Sequence, residues 1–151
     1  MKAGRREFMT AVAIALALPN VAHAASASVE VWKAPTCGCC KDWIRHMEAN
    51  GFGVKVHDSG NTAARARLGI PIRLGSCHTA LVEGYAIEGH VPAREIRRLL
   101  AERPNAIGLA VPGMPIGSPG MDGPAYGTRK DPYEVLLVRK DGGTTSFQRY
   151  P

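Results

Sequence analysis

Apolar and polar residues alternate over Val29-Glu30-Val31-Trp32, the period-two pattern of a strand buried on one face. Pro35 and Thr36 then turn the chain, with Thr36 placed to cap a helix. Trp43, Ile44 and Met47 share one helical face, and Asn50-Gly51 supplies the stop. Val54 to His57 predicts a second strand, and Thr62 to Leu68 a short helix closed by Gly69 and interrupted by Pro71. Thr79–Val82 and Tyr85–Ile87 predict a hairpin around Glu83-Gly84. Pro92 opens a helix at its first turn, with Ile96, Leu99 and Leu100 on one face and Arg97, Arg98 and Arg103 elsewhere. Pro104 to Pro132 reads as irregular and rich in Pro and Gly, a length uncommon inside a small domain unless it is functional or disordered. Its apolar run Ile107 to Val111 and its two methionines predict packing. Glu134–Val138 and Thr144–Gln148 close the chain as a second hairpin over Asp141-Gly142-Gly143. With no repeat and no interdomain linker, this order predicts one α/β domain: a central mixed β-sheet flanked by helices, with a long Pro/Gly-rich loop before the C-terminal hairpin.

The first 24 residues read differently. Lys2, Arg5 and Arg6 form a basic start, Thr10 to Leu18 is uncharged and apolar, and Ala22-His23-Ala24 is a small-x-small cleavage pattern. This predicts an export signal cut near Ala24, leaving a single domain over residues 25–151. The apolar run is too short to span a bilayer, so no membrane anchor is expected after cleavage. Arg5-Arg6-Glu7-Phe8-Met9 fits a twin-arginine pattern, and an ordinary secretory signal carrying two arginines is the alternative.

Charge removes one class of function. The full chain carries +6; without Lys2, Arg5, Arg6 and Glu7 it carries about +4, from 16 Lys and Arg scattered among 12 acids. No basic block interleaves with aromatics, and with export this leaves nucleic-acid binding without support.

The cysteines narrow the chemistry. Cys37, Cys39 and Cys40 fall within four positions, just after the first strand and at the start of a helix, and Cys77 stands alone further on. Cys37 and Cys40, at i and i+3, lie on one helical face. Four cysteines in an exported protein ordinarily suggest two disulfides. Adjacent Cys39 and Cys40 suit a structural staple poorly, and the domain is large enough to fold without one. Clustered thiols favour soft-metal or redox chemistry, and soft thiolates select Cu(I), zinc or iron–sulfur centres. Tetrahedral zinc is commonly held by separated C-x-x-C pairs. Neighbouring side chains diverge by about 100° on a helix, which strains Cys39 and Cys40 around one ion but suits bridging sulfurs. The spacing also lacks the ferredoxin pattern. A helix N-terminus stabilises thiolates and Lys41 adds a cation, which serves a metal trap and a dithiol catalyst alike.

A strand–helix–strand unit with cysteines at its first turn resembles the thioredoxin arrangement. Val29 to Lys41 is similar to that family's first strand and active-site turn, with Cys39 replacing the usual proline between the thiols. The family's cis-proline precedes its third strand; here Cys77-His78-Thr79 stands there, so the analogy implies His78 at the proline position and Cys77 beside the other sulfurs. Pro-Thr-Cys-Gly-Cys-Cys (35–40), Gly-Ser-Cys-His-Thr-Ala (75–80), Glu-Gly-His-Val-Pro (88–92) and Gly-Met-Pro-Ile-Gly-Ser-Pro-Gly-Met (113–121) together resemble the CopG-type periplasmic copper-resistance proteins over about Val29 to Tyr150. That resemblance implies a thioredoxin-like fold and a multinuclear Cu(I)–thiolate cluster on Cys37, Cys39, Cys40 and Cys77. It further implies copper ions as the bound species and other periplasmic copper-handling proteins as partners.

A thiol–disulfide oxidoreductase is the competing expectation, with Cys37 attacking and Cys40 resolving. A mixed role, in which the thiols reduce Cu(II) and retain Cu(I), is also open. Whether the protein is an enzyme is left undecided by the residues. His78, His90, Met114 and Met121 are secondary ligand candidates; packing, or for His90 a capping role, is the ordinary alternative. Trp32 and Trp43 are expected to pack beside the site or shield it from water. His46 and His57 carry no signal, and His23 leaves with the export segment.

Overall fold

The computed structural model describes residues 27–151. Residues 1–24, for which the sequence predicts an export signal, lie outside the described residues. The element order is β1 (Ser28–Lys33), α1 (Gly38–Ala49), β2 (Gly53–His57), α2 (Thr62–Arg67), a 3-10 turn (Ile72–Leu74), β3 (His78–Val82), β4 (Tyr85–Glu88), α3 (Ala93–Glu102), β5 (Ala106–Ala110), a second 3-10 turn (Pro124–Tyr126), β6 (Tyr133–Arg139) and β7 (Thr144–Tyr150). The strands form one mixed seven-stranded sheet in the order β2-β1-β3-β4-β5-β6-β7. β1 runs parallel to β2 across α1, and β4 parallel to β5 across α3; the other neighbours are antiparallel. A mixed α/β architecture is therefore observed, as the alternating periodicities predict.

Period two assigns the faces. Tyr85 and Ile87 on β4 and Leu109 on β5 join Val29, Val31, Trp43, Met47, Ile96 and Leu99 in the main core, which α1 and α3 cover. Ala86 and Ala110 point the opposite way into a smaller cluster with Ile70, Leu74 and Val138. The first hairpin turns at Glu83 (φ 45°) and Gly84 (φ 88°), two left-handed residues in succession as a two-residue type I′ turn requires.

Three expectations are corrected. The segment 104–132 is not irregular throughout, because Ala106–Ala110 forms the interior strand β5. A continuous apolar run is what a strand buried on both faces looks like, and it carries no alternation to mark it. Gly108 is required there: a Cβ would stand 1.7 Å from the Ala86 carbonyl oxygen of β4. The N-cap of α1 is Cys37 rather than Thr36, its sulfur accepting from the Cys40 backbone N–H at 3.3 Å. Pro92 is the N-cap of α3, one position before the helix begins.

Candidate metal centre

β1 ends at Lys33, the chain turns through Ala34–Thr36 with the Cys37 N–H donating to the Ala34 carbonyl at 3.1 Å, and α1 begins at once. Cys37, Cys39 and Cys40 consequently occupy the cap and first turn of the helix, where free N–H groups and the helix dipole favour negative charge on sulfur. Cys77 arrives by topology. β3 pairs antiparallel with β1 and sets His78 opposite Lys33, so the residue entering β3 meets the loop leaving β1. Side-chain ligand atoms of Cys37, Cys39, Cys40 and Cys77 all lie within 4.8 Å of one another. The Cys39 sulfur is the centre of the group, 3.6 Å from that of Cys37 and 3.7 Å from that of Cys77. Cys37 and Cys40 are joined as a disulfide, and Cys39 and Cys77 are free thiols.

Two imidazoles extend the group. β4 returns antiparallel along β3, so the chain just beyond Glu88 passes Cys77 again, tied by the Gly89 N–H to the His78 carbonyl at 3.0 Å. This brings the Nε2 atom of His90 to 3.1 Å from the Cys77 sulfur. The other nitrogen, Nδ1, lies 2.8 Å from the Pro119 carbonyl oxygen. A carbonyl can only accept, so Nδ1 carries the proton and the Nε2 lone pair faces the sulfur. His78 lies with Nδ1 3.5 Å from the same sulfur, against the Trp43 ring at 4.4 Å between centroids. Its Nε2 is buried with no hydrogen-bond partner among the described residues. Cys77, His78 and His90 thus form a second set of potential ligand atoms that shares one sulfur with the first.

Electrostatics keeps this half of the site neutral in the absence of metal. Burial, then the neighbouring Cys39 thiol, pushes the Cys77 thiol up to about 12. Burial, then His90, holds the His78 imidazole well below the usual histidine range, and burial lowers His90. A metal arriving at Cys77 must therefore displace its proton.

The segment 111–132 forms the roof. Gly120 packs so closely on α1 that a Cβ would stand 2.6 Å from the Cys39 carbonyl oxygen and 2.8 Å from the Trp43 nitrogen. Met121 is buried and its sulfur accepts from the Tyr126 hydroxyl at 3.4 Å, whereas Met114 is half exposed. Trp43 is fully buried and donates from Nε1 to the Val91 carbonyl at 2.9 Å, a wall of the site as well as core. Trp32 instead stacks on His57 on the far side of β1, and His57 pairs with Glu30. His46 accepts from the Ala93 N–H at 3.1 Å, tying α1 to the start of α3.

A mixed α/β domain that gathers four cysteine sulfurs at one helix N-terminus defines a protein with a thiol cluster able to hold metal. The chain belongs to the family of the copper resistance protein CopG. It is 46% identical to the solved structure of copper resistance protein CopG, form 2, with 83% of this chain and 99% of that one covered and a TM-score of 0.77. Form 1 gives 46% identity, coverage of 82% and 97%, and a TM-score of 0.76. Residues 74–121, which hold Cys77, His90 and the roof glycine, match the family model described as "Protein of unknown function, DUF411". No match is found among curated proteins.

Proposed function

We propose that this protein binds copper as Cu(I), in a multinuclear cluster bridged by the sulfurs of Cys37, Cys39, Cys40 and Cys77, and that it acts in copper resistance in the periplasm. The observation that carries this reading is the convergence of four sulfurs within 4.8 Å, three of them from one helical turn. Thiolates are the ligands soft Cu(I) prefers, and sulfurs on adjacent residues bridge ions more readily than they surround a single one. The relatives' name, copper resistance protein, supports copper over zinc. The signal-like residues 1–24 support export, with cleavage near Ala24, and exchange of copper with other periplasmic copper-handling proteins follows from that setting. The β1–α1–β2 unit with its cysteines at the strand-to-helix turn supports a thioredoxin-like ancestry for the sheet. Titrating the fully reduced protein with Cu(I) against a competing chelator is expected to show several ions bound per chain; saturation at one would overturn the cluster.

The Cys37–Cys40 disulfide supports redox handling of the same cargo. Two thiols delivering one electron each to two Cu(II) ions form one disulfide, two Cu(I) and two released protons. Cys39 and Cys77 then keep their thiols as ligands.

The same disulfide is the observation that favours a thiol–disulfide oxidoreductase as second reading. Cys39, 3.6 Å from the attacking sulfur, competes for any mixed disulfide, and Cys77 with its histidines occupies the approach. Little turnover is therefore expected in an insulin-reduction assay. Rapid turnover that survives Cys39→Ser would decide for the oxidoreductase.

A further inference from the structure

Three of the four sulfurs are aimed by a helix, but Cys77 sits in a loop between a 3-10 turn and β3, and something else must aim it. That loop is gripped by one buried ion pair. Glu88, at the end of β4, is fully buried, and its partner Arg65, from α2, is largely so. The Oε1 atom of Glu88 accepts from Arg65 Nε at 2.8 Å and from the Ser76 backbone N–H at 2.7 Å, while Oε2 accepts from the Thr79 hydroxyl at 2.5 Å. The Arg65 guanidinium reaches past the carboxylate and donates from Nη2 to the Ser76 carbonyl at 2.6 Å, which the Asn61 amide also reaches at 3.1 Å. Both backbone groups of the residue before Cys77 are thus fixed by the two halves of one ion pair, and the residue after His78 is fixed by the same carboxylate. The Ser76 hydroxyl adds a tie to the Gly113 carbonyl at 2.5 Å, joining this loop to the roof.

We propose that the Arg65–Glu88 pair is a positioning device for the metal site: it sets the Ser76–Cys77 peptide so that the Cys77 sulfur faces Cys39 rather than solvent. A buried ion pair contributes little net stability but is costly to break on one side, and its planar fork fixes geometry better than an apolar contact of equal volume. The fork is the essential element. It spans a carboxylate and a carbonyl at once, which a lysine ammonium on a flexible stem does not reproduce. The copper consequence rests on the four-thiol reading above; the positioning itself does not.

The test separates the two. With Cys37 and Cys40 both replaced by Ser, the equilibrium of Cys39 and Cys77 with glutathione disulfide reports their effective concentration without any metal. Arg65→Lys keeps the charge beside Glu88, so it is expected to fold. It is expected to lower that effective concentration about tenfold, and Glu88→Gln to lower it further. Val135→Ala, in the core away from the loop, serves as a control of comparable destabilisation and is expected to leave it unchanged. In the four-cysteine protein, Arg65→Lys is expected to weaken Cu(I) affinity by a similar factor, measured with the competing chelator. An unchanged Cys39–Cys77 equilibrium in Arg65→Lys would overturn the proposal, as would an equal drop in Val135→Ala. A parent protein that binds no copper, with the thiol equilibrium still falling in Arg65→Lys, would sink the copper reading and leave the positioning device standing.

Discussion

Cys39→Ser is expected to reduce Cu(I) binding from several ions to one or none, and to weaken the tightest remaining ion by about two orders of magnitude. The stoichiometry follows from position. Cys39 is the sulfur that lies close to both Cys37 and Cys77, at 3.6 and 3.7 Å, and without it the α1 sulfurs and the Cys77 sulfur no longer share a bridge. The affinity figure follows from scale: structural zinc sites of four protein ligands hold their ion by about 10–16 kcal/mol, so on that scale one ligand accounts for about 3 kcal/mol, and each 1.4 kcal/mol is tenfold. Serine keeps the volume but offers a hard oxygen in place of a soft sulfur. The measurement is the same chelator-competed titration, with far-UV circular dichroism to show that the variant is folded. An unchanged number of ions at unchanged affinity would mean that the extra thiol is incidental and that the motif is an ordinary redox pair.

The prominence of Cys39 was visible in the sequence, because a third thiol inside a C-x-x-C motif is legible without any fold. Its meaning required Cys77, and nothing in the local pattern ties residue 77 to residue 39. That link is made by the pairing of β1 with β3, a non-local register that aligns Lys33 with His78. The resemblance to CopG-type proteins implied the same neighbourhood, and the structure supplies the strand pairing that produces it. Periodicity found the amphipathic helices and both hairpins, since each repeats a two- or 3.6-residue pattern long enough to read. It failed at β5, where Gly108 and a run of uninterrupted apolar residues resemble a packed loop.

Buried polar residues were the least legible. Glu88 and Glu95 look like surface carboxylates in the sequence, yet both are buried: Glu88 under Arg65, Thr79 and Ser76, and Glu95 under the Tyr150 hydroxyl at 2.7 Å and Arg94 Nε at 2.9 Å. Lys33 is buried as well, with its ammonium on Asp58 at 2.5 Å and on the Ala34 carbonyl at 3.0 Å, just behind the cysteine turn. A charge is buried only where partners converge on it, and for each of these three at least one partner comes from a segment distant in sequence: Arg65 for Glu88, Tyr150 for Glu95 and Asp58 for Lys33. His90 is the same problem in milder form. Its place before a helix suggests a cap, and only the return of β4 beside β3 turns it toward Cys77.

Gly120→Ala is expected to open the site. The residue has φ 88°, and an added methyl would meet backbone on two sides, the Cys39 carbonyl oxygen at 2.6 Å and the Trp43 nitrogen at 2.8 Å, with His90 Nδ1 at 3.3 Å. Neither backbone atom can move without unwinding the first turn of α1, so the roof must lift. Lifting it breaks the Pro119–His90 hydrogen bond that fixes the imidazole tautomer and exposes further the Cys39 and Cys77 thiols, which are only partly covered. Gly113 separates this effect from backbone strain, because its φ is 70° and a Cβ there would meet nothing within 4 Å. Gly113→Ala should therefore cost only about 1 kcal/mol, the penalty of a left-handed alanine. Gly120→Ala should cost about 3 kcal/mol, strain and displaced contacts together, and lower Tm by roughly 10 °C in a domain of this size. Alkylation of the two free thiols by iodoacetamide should accelerate about tenfold in Gly120→Ala and stay unchanged in Gly113→Ala, whereas global opening would accelerate both, by roughly a hundredfold and about fivefold in line with their stability losses. Equal Tm values and equal alkylation rates for the two variants would show that the roof does not limit access to the thiols, and that the close approach of Gly120 to α1 is packing without consequence for the site.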